Sequence, residues 1–288
     1  MRRMGRKRRG RRLAGQIALG ILAAGFACAA YIYLTLPDVR VLRAENPEET
    51  AFMRLRAEQA VRRGEEPRRV HRWVSYNRIS SNLKRAVLVA EDSAFWQHDG
   101  IDFKQIRESM EINLERMEFA RGASTITQQL AKNLYLSPSK NPIRKIQELL
   151  IARRLEVELT KKRILELYLN VIEWGDGVYG AEAAARSYFG KSASALSAGE
   201  SAMLAAAIIN PRVLNPRQAN ARLRTRQQMI LRRMGAATPP ADTAPALPAS
   251  STPAELPPVE EAPAMLPGQL LPPPGPVQKP PIKAPAGG

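Results

Sequence analysis

The densest run of chemistry-bearing side chains is Glu91-Asp92-Ser93-Ala94-Phe95-Trp96-Gln97-His98-Asp99-Gly100-Ile101-Asp102. Glu91 falls at the C-terminal end of a predicted helix, where the negative end of the dipole disfavours a further negative charge. With partial burial, that placement raises a carboxylate towards the range of a general base. A solvated loop acid would occupy the same position, so position alone does not assign the role. A second cluster runs from Gly122 to Asn133 and holds Ser124, Thr125, Gln128, Gln129, Lys132 and Asn133. Hydroxyls and carboxamides in such density can bind sugar hydroxyls and phosphate oxygens by directional hydrogen bonds. A capped helix N-terminus reads the same way. The third cluster is Arg144, Lys145 and Glu148. Arg144 and Glu148 alone are an i, i+4 surface pair worth a few tenths of a kcal/mol. Together with Lys132 and Lys140 they make a place for an anionic group.

The elements that must position these groups read as helices. Asn46-Pro47-Glu48-Glu49 has the form of a helix start, with a capping Asn and Pro at the first helical position, and Gly64 ends that helix. A helix over 81–90 places Leu83, Val87 and Ala90 on one face. From Gln105 to Phe119, Ile106, Met110, Leu114 and Met117 repeat at helical spacing, as a core face or as an adaptable apolar surface. Asn141-Pro142 starts a long helix through Leu159, and Thr160 caps another through Leu169. Ser197 and Glu200 form a capping box, which explains Glu200 without chemistry. Strand signals are few, so the class is mainly α.

Composition divides the 288 residues into four parts. Residues 1–12 hold eight Arg/Lys and no acid, and form a basic arm. Leu13 to Leu36 carries no charge. At about 1.5 Å per residue that run spans a hydrocarbon layer of roughly 30 Å. The basic arm keeps the N-terminus cytoplasmic and sends the remainder across. A cleaved signal peptide is the rival reading, but the apolar run continues past Ala27-Cys28-Ala29 through Leu34. Residues 37–235 are long enough for a real core and carry a net charge of +11. Residues 236–288 hold 16 of the 23 prolines and read as a disordered, polyproline-like tail. One cysteine and two histidines exclude an internal disulfide and a Cys/His zinc site. The positive charge sits largely beside an apolar span with no nucleic-acid motif, which argues against a nucleic-acid partner.

Taken in order, the clusters resemble glycosyltransferase family 51, the peptidoglycan glycosyltransferases, and within it the monofunctional transglycosylases. Glu91, Asp92, Phe95, His98, Gly100 and Asp102 match the family's first motif. Gly122, Ser124, Thr125, Gln128, Gln129, Lys132 and Asn133 match the second, and Arg144, Lys145 and Glu148 the third. Ile164 to Asn170, Trp174-Gly175, Gly180, Ala184 and Tyr188-Phe189-Gly190-Lys191 complete the pattern. Lys140 departs from it, since many members carry Arg there; Lys keeps the charge and loses the bidentate fork. No penicillin-binding sequence follows, only the Pro-rich tail.

The resemblance implies a lysozyme-like glycosyltransferase domain in the inner membrane of a bacterium, with the catalytic domain periplasmic. It implies polymerisation of lipid II on a growing glycan strand, with β-1,4 linkage, inversion and release of undecaprenyl pyrophosphate. Glu91 is then the general base and Glu148 an assisting carboxylate. Lys132, Lys140, Arg144 and Lys145 would meet the pyrophosphate, while Ser124, Thr125, Gln128, Gln129 and Asn133 would line the cleft. A divalent cation (Mg or Mn) assists some members, but the spacing here demands no cofactor and assigns no metal ligand; Asp92, His98 and Asp102 read as structural. Membrane lipids are expected partners, and the tail or anchor offers docking to division or other cell-wall proteins. The rival functions are a lysozyme-like glycan-cleaving enzyme and a non-enzymatic cell-wall scaffold. The basic clusters oppose the first, since a neutral glycan needs no phosphate clamp.

Overall fold

Thr50, not Asn46, begins the first helix of the body. The computed structural model describes residues 2–116, 124–136 and 142–236. In it, Thr50 Oγ1 accepts from the Met53 N–H at 3.1 Å and caps α2 (Ala51–Arg62). The Asn46 carboxamide instead accepts from Arg163 at 2.8 Å. Both residue types cap well, and the long-range arginine decides between them. Gly64 follows the helix end with φ +74°.

Helix dominates, as the periodicity predicts. After α2 come α3 (Ser81–Glu91), α4 (Phe103–Arg116), α5 (Ile126–Tyr135), α6 (Pro142–Glu158) and α7 (Lys161–Val171). The body closes with α8 (Ala181–Phe189), α9 (Ala198–Ala207) and α10 (Ala221–Ala236). Thr160 caps α7 through the Arg163 N–H at 3.2 Å, and the Ser197–Glu200 capping box opens α9. Helix α5 packs on α2, α6 and α7, while α9 packs between α3 and α10. Ile126, Leu130, Ala131 and Leu134 bury one face of α5. Each large side chain there contributes about 1.5–3 kcal/mol by leaving water. Helix α9 is apolar nearly all round, which suits a central helix.

A small sheet escapes sequence reading because its strands are two or three residues long. Strand β1 (Val70–His71) runs parallel to β3 (Val178–Tyr179), and β3 is antiparallel to β2 (Glu173–Gly175), in the order β1-β3-β2. Gly177 turns between β2 and β3 with φ +67°, where a Cβ would meet the Arg68 carbonyl oxygen at 2.5 Å. Asn170 ties α7 to the segment after β1. Its carboxamide accepts from the Val74 N–H and donates to the Val74 carbonyl, both at 2.9 Å.

The face predicted along α4 is not a core face in its described part. Met110 is 67% exposed and Ile106 only half-buried, while Ser109 turns inward. The side chains of Leu114 and Met117 lie outside the described residues. Ahead of the body, α1 (Arg2–Leu34) holds most of the predicted span, and Ile17, Leu19, Phe26 and Leu34 are exposed along it. Among the described residues no helix is long and apolar enough to cross a membrane. The run 13–36 includes Leu13, Ala14, Cys28, Ala29 and Ile32, whose side chains lie outside those residues. The Pro-rich segment 237–288, with Lys140, Asn141 and Gly122, also lies outside them.

Candidate active site

Glu91 is the last residue of α3, as the sequence places it. Its carboxylate is nearly buried, with 13% of the side chain exposed. Oε2 accepts from Gln129 Nε2 at 3.0 Å. Oε1 lies 3.7 Å from an Arg226 guanidinium nitrogen. Burial is the chief cause that pushes Glu91 above the ordinary carboxylate range. The Gln129 hydrogen bond, Arg226 and Lys132 pull the other way, and Asp92 adds to the rise. A carboxylate so placed has one oxygen tied and one available to take a proton.

Gln129 is held from its other end. Its Oε1 accepts from the Tyr168 hydroxyl at 3.0 Å, and Tyr168 is wholly buried on α7. Its backbone carbonyl accepts from Asn133 Nδ2 at 2.7 Å. Tyr168 and Arg226 were not legible as site residues. Tyr168 lies within the Ile164 to Asn170 motif but carries no role from the sequence, and nothing distinguishes Arg226 from Arg222 or Arg224 on the same basic helix.

Glu148 is 3% exposed on α6 and sits between two cations of its own helix. Arg144 donates to Oε2 at 3.0 Å, and the Lys145 ammonium donates to Oε1. Lys145 also reaches the Ser124 hydroxyl at 3.4 Å, which joins the second cluster to the third. Lys132 links the two carboxylates electrostatically. Burial is the main cause lowering its ammonium below the usual lysine range; Arg144 and Lys145 lower it further, and Glu148 and Glu91 oppose. The structure therefore brings Glu91, Gln129, Lys132, Arg144, Lys145, Glu148 and Ser124 into one connected polar region.

The Thr125 side chain is engaged in the fold rather than in that region. Thr125 is fully buried; its Oγ1 accepts from the Gln128 N–H at 3.2 Å as the cap of α5 and donates to the Gly100 carbonyl at 2.7 Å. Gln128 is 2% exposed and Asn133 is 7% exposed. The local rule, a Ser/Thr cap before an apolar helix, accounts for Thr125 better than a substrate contact does. Lys140 lies outside the described residues.

Asp92, His98 and Asp102 place one donor atom each within 4.8 Å of one another. A divalent cation nevertheless fits them poorly. Asp92 accepts from the Ile126 N–H at 2.9 Å and from His98 Nε2 at 3.0 Å. The Gly100 N–H donates to His98 Nδ1 at 3.1 Å, so that nitrogen's lone pair is used and Nε2 carries the proton. Asp102 caps α4 through the Gln105 N–H at 2.8 Å. Both Asp92 oxygens, both His98 nitrogens and Asp102 Oδ1 have partners, and the group works as a fastener joining the end of α3, the 98–100 turn and the start of α5. Glu156 is likewise structural, accepting from Thr127 at 2.5 Å and from Lys161 at 2.8 Å. Glu173 is buried and paired with Arg56 at 3.0 Å.

Residues 58–235 match the family model described as Transglycosylase. The chain is 53% identical over 169 residues to the biosynthetic peptidoglycan transglycosylase of Nitrosomonas eutropha, covering 59% of this chain and 69% of that one. It is 49% identical over 169 residues to that of an Azoarcus species, covering 59% and 73%. Against that of Laribacter hongkongensis it is 50% identical over 166 residues, covering 58% and 73%. By a match that spans more than half of its length and contains all three clusters, the chain belongs to the transglycosylase family.

Proposed function

We propose that this chain is a peptidoglycan glycosyltransferase that polymerises lipid II into β-1,4-linked glycan for bacterial cell-wall synthesis. One observation carries the reading. A buried carboxylate with a free oxygen, Glu91, shares a polar region with a cationic group built on a second buried carboxylate, Glu148. A base and an anion clamp are what the displacement of a sugar-bound pyrophosphate by a hydroxyl requires.

In this reading the acceptor sugar's 4-hydroxyl attacks the donor's anomeric carbon while its proton passes to Glu91 Oε1. The bond to the lipid pyrophosphate breaks on the opposite face, so the configuration inverts. The negative charge that develops on the leaving pyrophosphate falls to Lys132, Lys140, Arg144 and Lys145. Glu148 holds Arg144 and Lys145 in position. Ser124 is placed by Lys145, and Gln129 acts through Glu91. Thr125 caps α5 and Asn133 holds the Gln129 carbonyl, while Gln128 stays a candidate lining residue of the cleft.

Residues 13–36 serve as a single membrane anchor with residues 1–12 cytoplasmic, residues 37–235 form the periplasmic catalytic domain, and the Pro-rich residues 236–288 follow it. The exposed apolar side chains of α1 support the anchor, with Ile17, Leu19, Phe26 and Leu34 each 56–80% exposed. Anionic membrane lipids would attract the basic arm.

The test uses full-length protein in detergent with labelled lipid II, beside the Glu91→Gln protein. A lysozyme-sensitive polymer ladder from the wild type alone is expected. Binding of lipid II without polymer would move the reading to a scaffold. Shortening of preformed glycan would move it to cleavage.

A further inference from the structure

Tyr168 is wholly buried, and its hydroxyl is the only side-chain donor among the described residues shown reaching the Gln129 carboxamide oxygen. That contact, together with a longer donation from Gln129 Nε2 to the Ser124 carbonyl at 3.5 Å, sets which way the amide faces. With the oxygen held by Tyr168, the NH2 group points at Glu91 Oε2, at 3.0 Å. Were the amide turned over, its oxygen would face the carboxylate, and two acceptors would oppose each other. The Glu91 end of this chain is nearly buried and the Tyr168 end wholly so. Water therefore cannot replace a missing partner at Tyr168 without opening the core.

We propose that Tyr168 is a positioning residue for catalysis, setting the Gln129 amide so that Glu91 is held ionised with Oε2 tied and Oε1 open to the acceptor hydroxyl. The proposal rests on the reading of Glu91 as the base. It assigns Gln129 to the carboxylate rather than to a sugar, and it assigns the two carboxylate oxygens different work. Arg226 stands 3.7 Å from Oε1, near enough to favour the anion and too far to occupy that oxygen with a hydrogen bond. The arrangement separates two demands that conflict in a buried base. Burial raises its proton affinity, and the donated hydrogen bond opposes that rise.

The experiment measures kcat/KM for labelled lipid II from about pH 4.5 to about pH 8 with the full-length chain in detergent. Tyr168→Phe keeps the ring and removes the donor. Its acid limb is expected to move up by about one pH unit, roughly a tenfold loss on the acid side, with the alkaline plateau nearly kept. Gln129→Ala should give a similar shift, and the double variant no more than either alone, because the two act through one contact. A merely structural tyrosine would lower the melting temperature and leave the acid limb in place, and that result would overturn the proposal. So would additive shifts in the double variant. If Tyr168→Phe does not fold, Gln129→Ala carries the test: an unmoved acid limb there overturns it equally. Full turnover by Glu91→Gln would instead remove the base reading on which the proposal stands, which distinguishes the two failures.

Discussion

Replacing Asp92 by Asn tests the fastener at the end of α3. Asp92 is 1% exposed and receives the Ile126 N–H at 2.9 Å and His98 Nε2 at 3.0 Å. Asn has the same shape, but only one of its two terminal groups accepts. With the amide oxygen at the Oδ2 position both the Ile126 N–H and His98 Nε2, at 3.1 Å, can reach it, but the Oδ1 position becomes an NH2 group that faces the His98 N–H. The variant thus loses one hydrogen bond to a charged acceptor, worth about 1.5–3 kcal/mol, and strands a buried donor. The remaining bond also loses its charge assistance, so the total is about 2–4 kcal/mol. For a body of this size each kcal/mol moves the melting temperature by about 2–4 °C, giving a fall of roughly 5–15 °C. Differential scanning calorimetry at a fixed scan rate measures it. Asp38→Asn is the control: Asp38 is 58% exposed and paired with Arg40, and its loss should shift the melt very little. An Asp92→Asn melt within about 2 °C of wild type would refute the reasoning. A comparable fall in the wild type on adding a chelator would refute it differently, by showing that Asp92, His98 and Asp102 hold a cation.

Glu91→Gln should cost about 10²–10⁴-fold in turnover while leaving lipid II binding largely intact, read by polymerisation rate and by a binding titration. Since burial raises Glu91, the wild-type rate should fall as pH drops through a value above the ordinary carboxylate range, and an acid limb at or below about pH 4.3 would contradict that direction. Glu148→Gln leaves Arg144 and Lys145 without their buried counter-charge; because both cations are partly exposed, the stability loss should be only about 1–2 kcal/mol, with a far larger loss of turnover. Lys140→Arg should keep or raise the polymerisation rate, because the guanidinium restores a bidentate contact to phosphate.

Local rules carried the sequence reading a long way. The end of α3 at Glu91, the Thr160 cap and the Ser197–Glu200 box all depend on residues within one turn of each other, and each is present. Decisions made by distant residues were not legible. Asn46 lost its cap to Thr50 because Arg163 engages it from α7. The period of Ile106 and Met110 marked a face but not what that face meets, and Met110 stands in solvent. Thr125 was ambiguous between cap and ligand, and only its complete burial separates the two. Tyr168 and Arg226 reach the Glu91 region from α7 and α10, a convergence that no spacing encodes.

Helix α6 carries two rows of opposite character. Arg144, Lys145 and Glu148 form the clamp, while Ile143, Ile146 and Leu150 are 39–49% exposed. At about 100° per residue the rows lie roughly 170° apart around the axis. A helix of this length is stiff, so whatever presses on the apolar row turns the clamp with it. A roll of about 10° moves side-chain tips, about 6 Å from the axis, by about 1 Å. Misplacement on that scale can cost about a hundredfold in rate. The helix is thus a shaft between the surroundings of the domain and the place where the leaving group departs. Turnover should vary with the lateral pressure of the bilayer or the packing of the detergent, without any bound regulator. Identical rates across bilayers of different packing, with substrate access held equal, would show that the shaft does not turn.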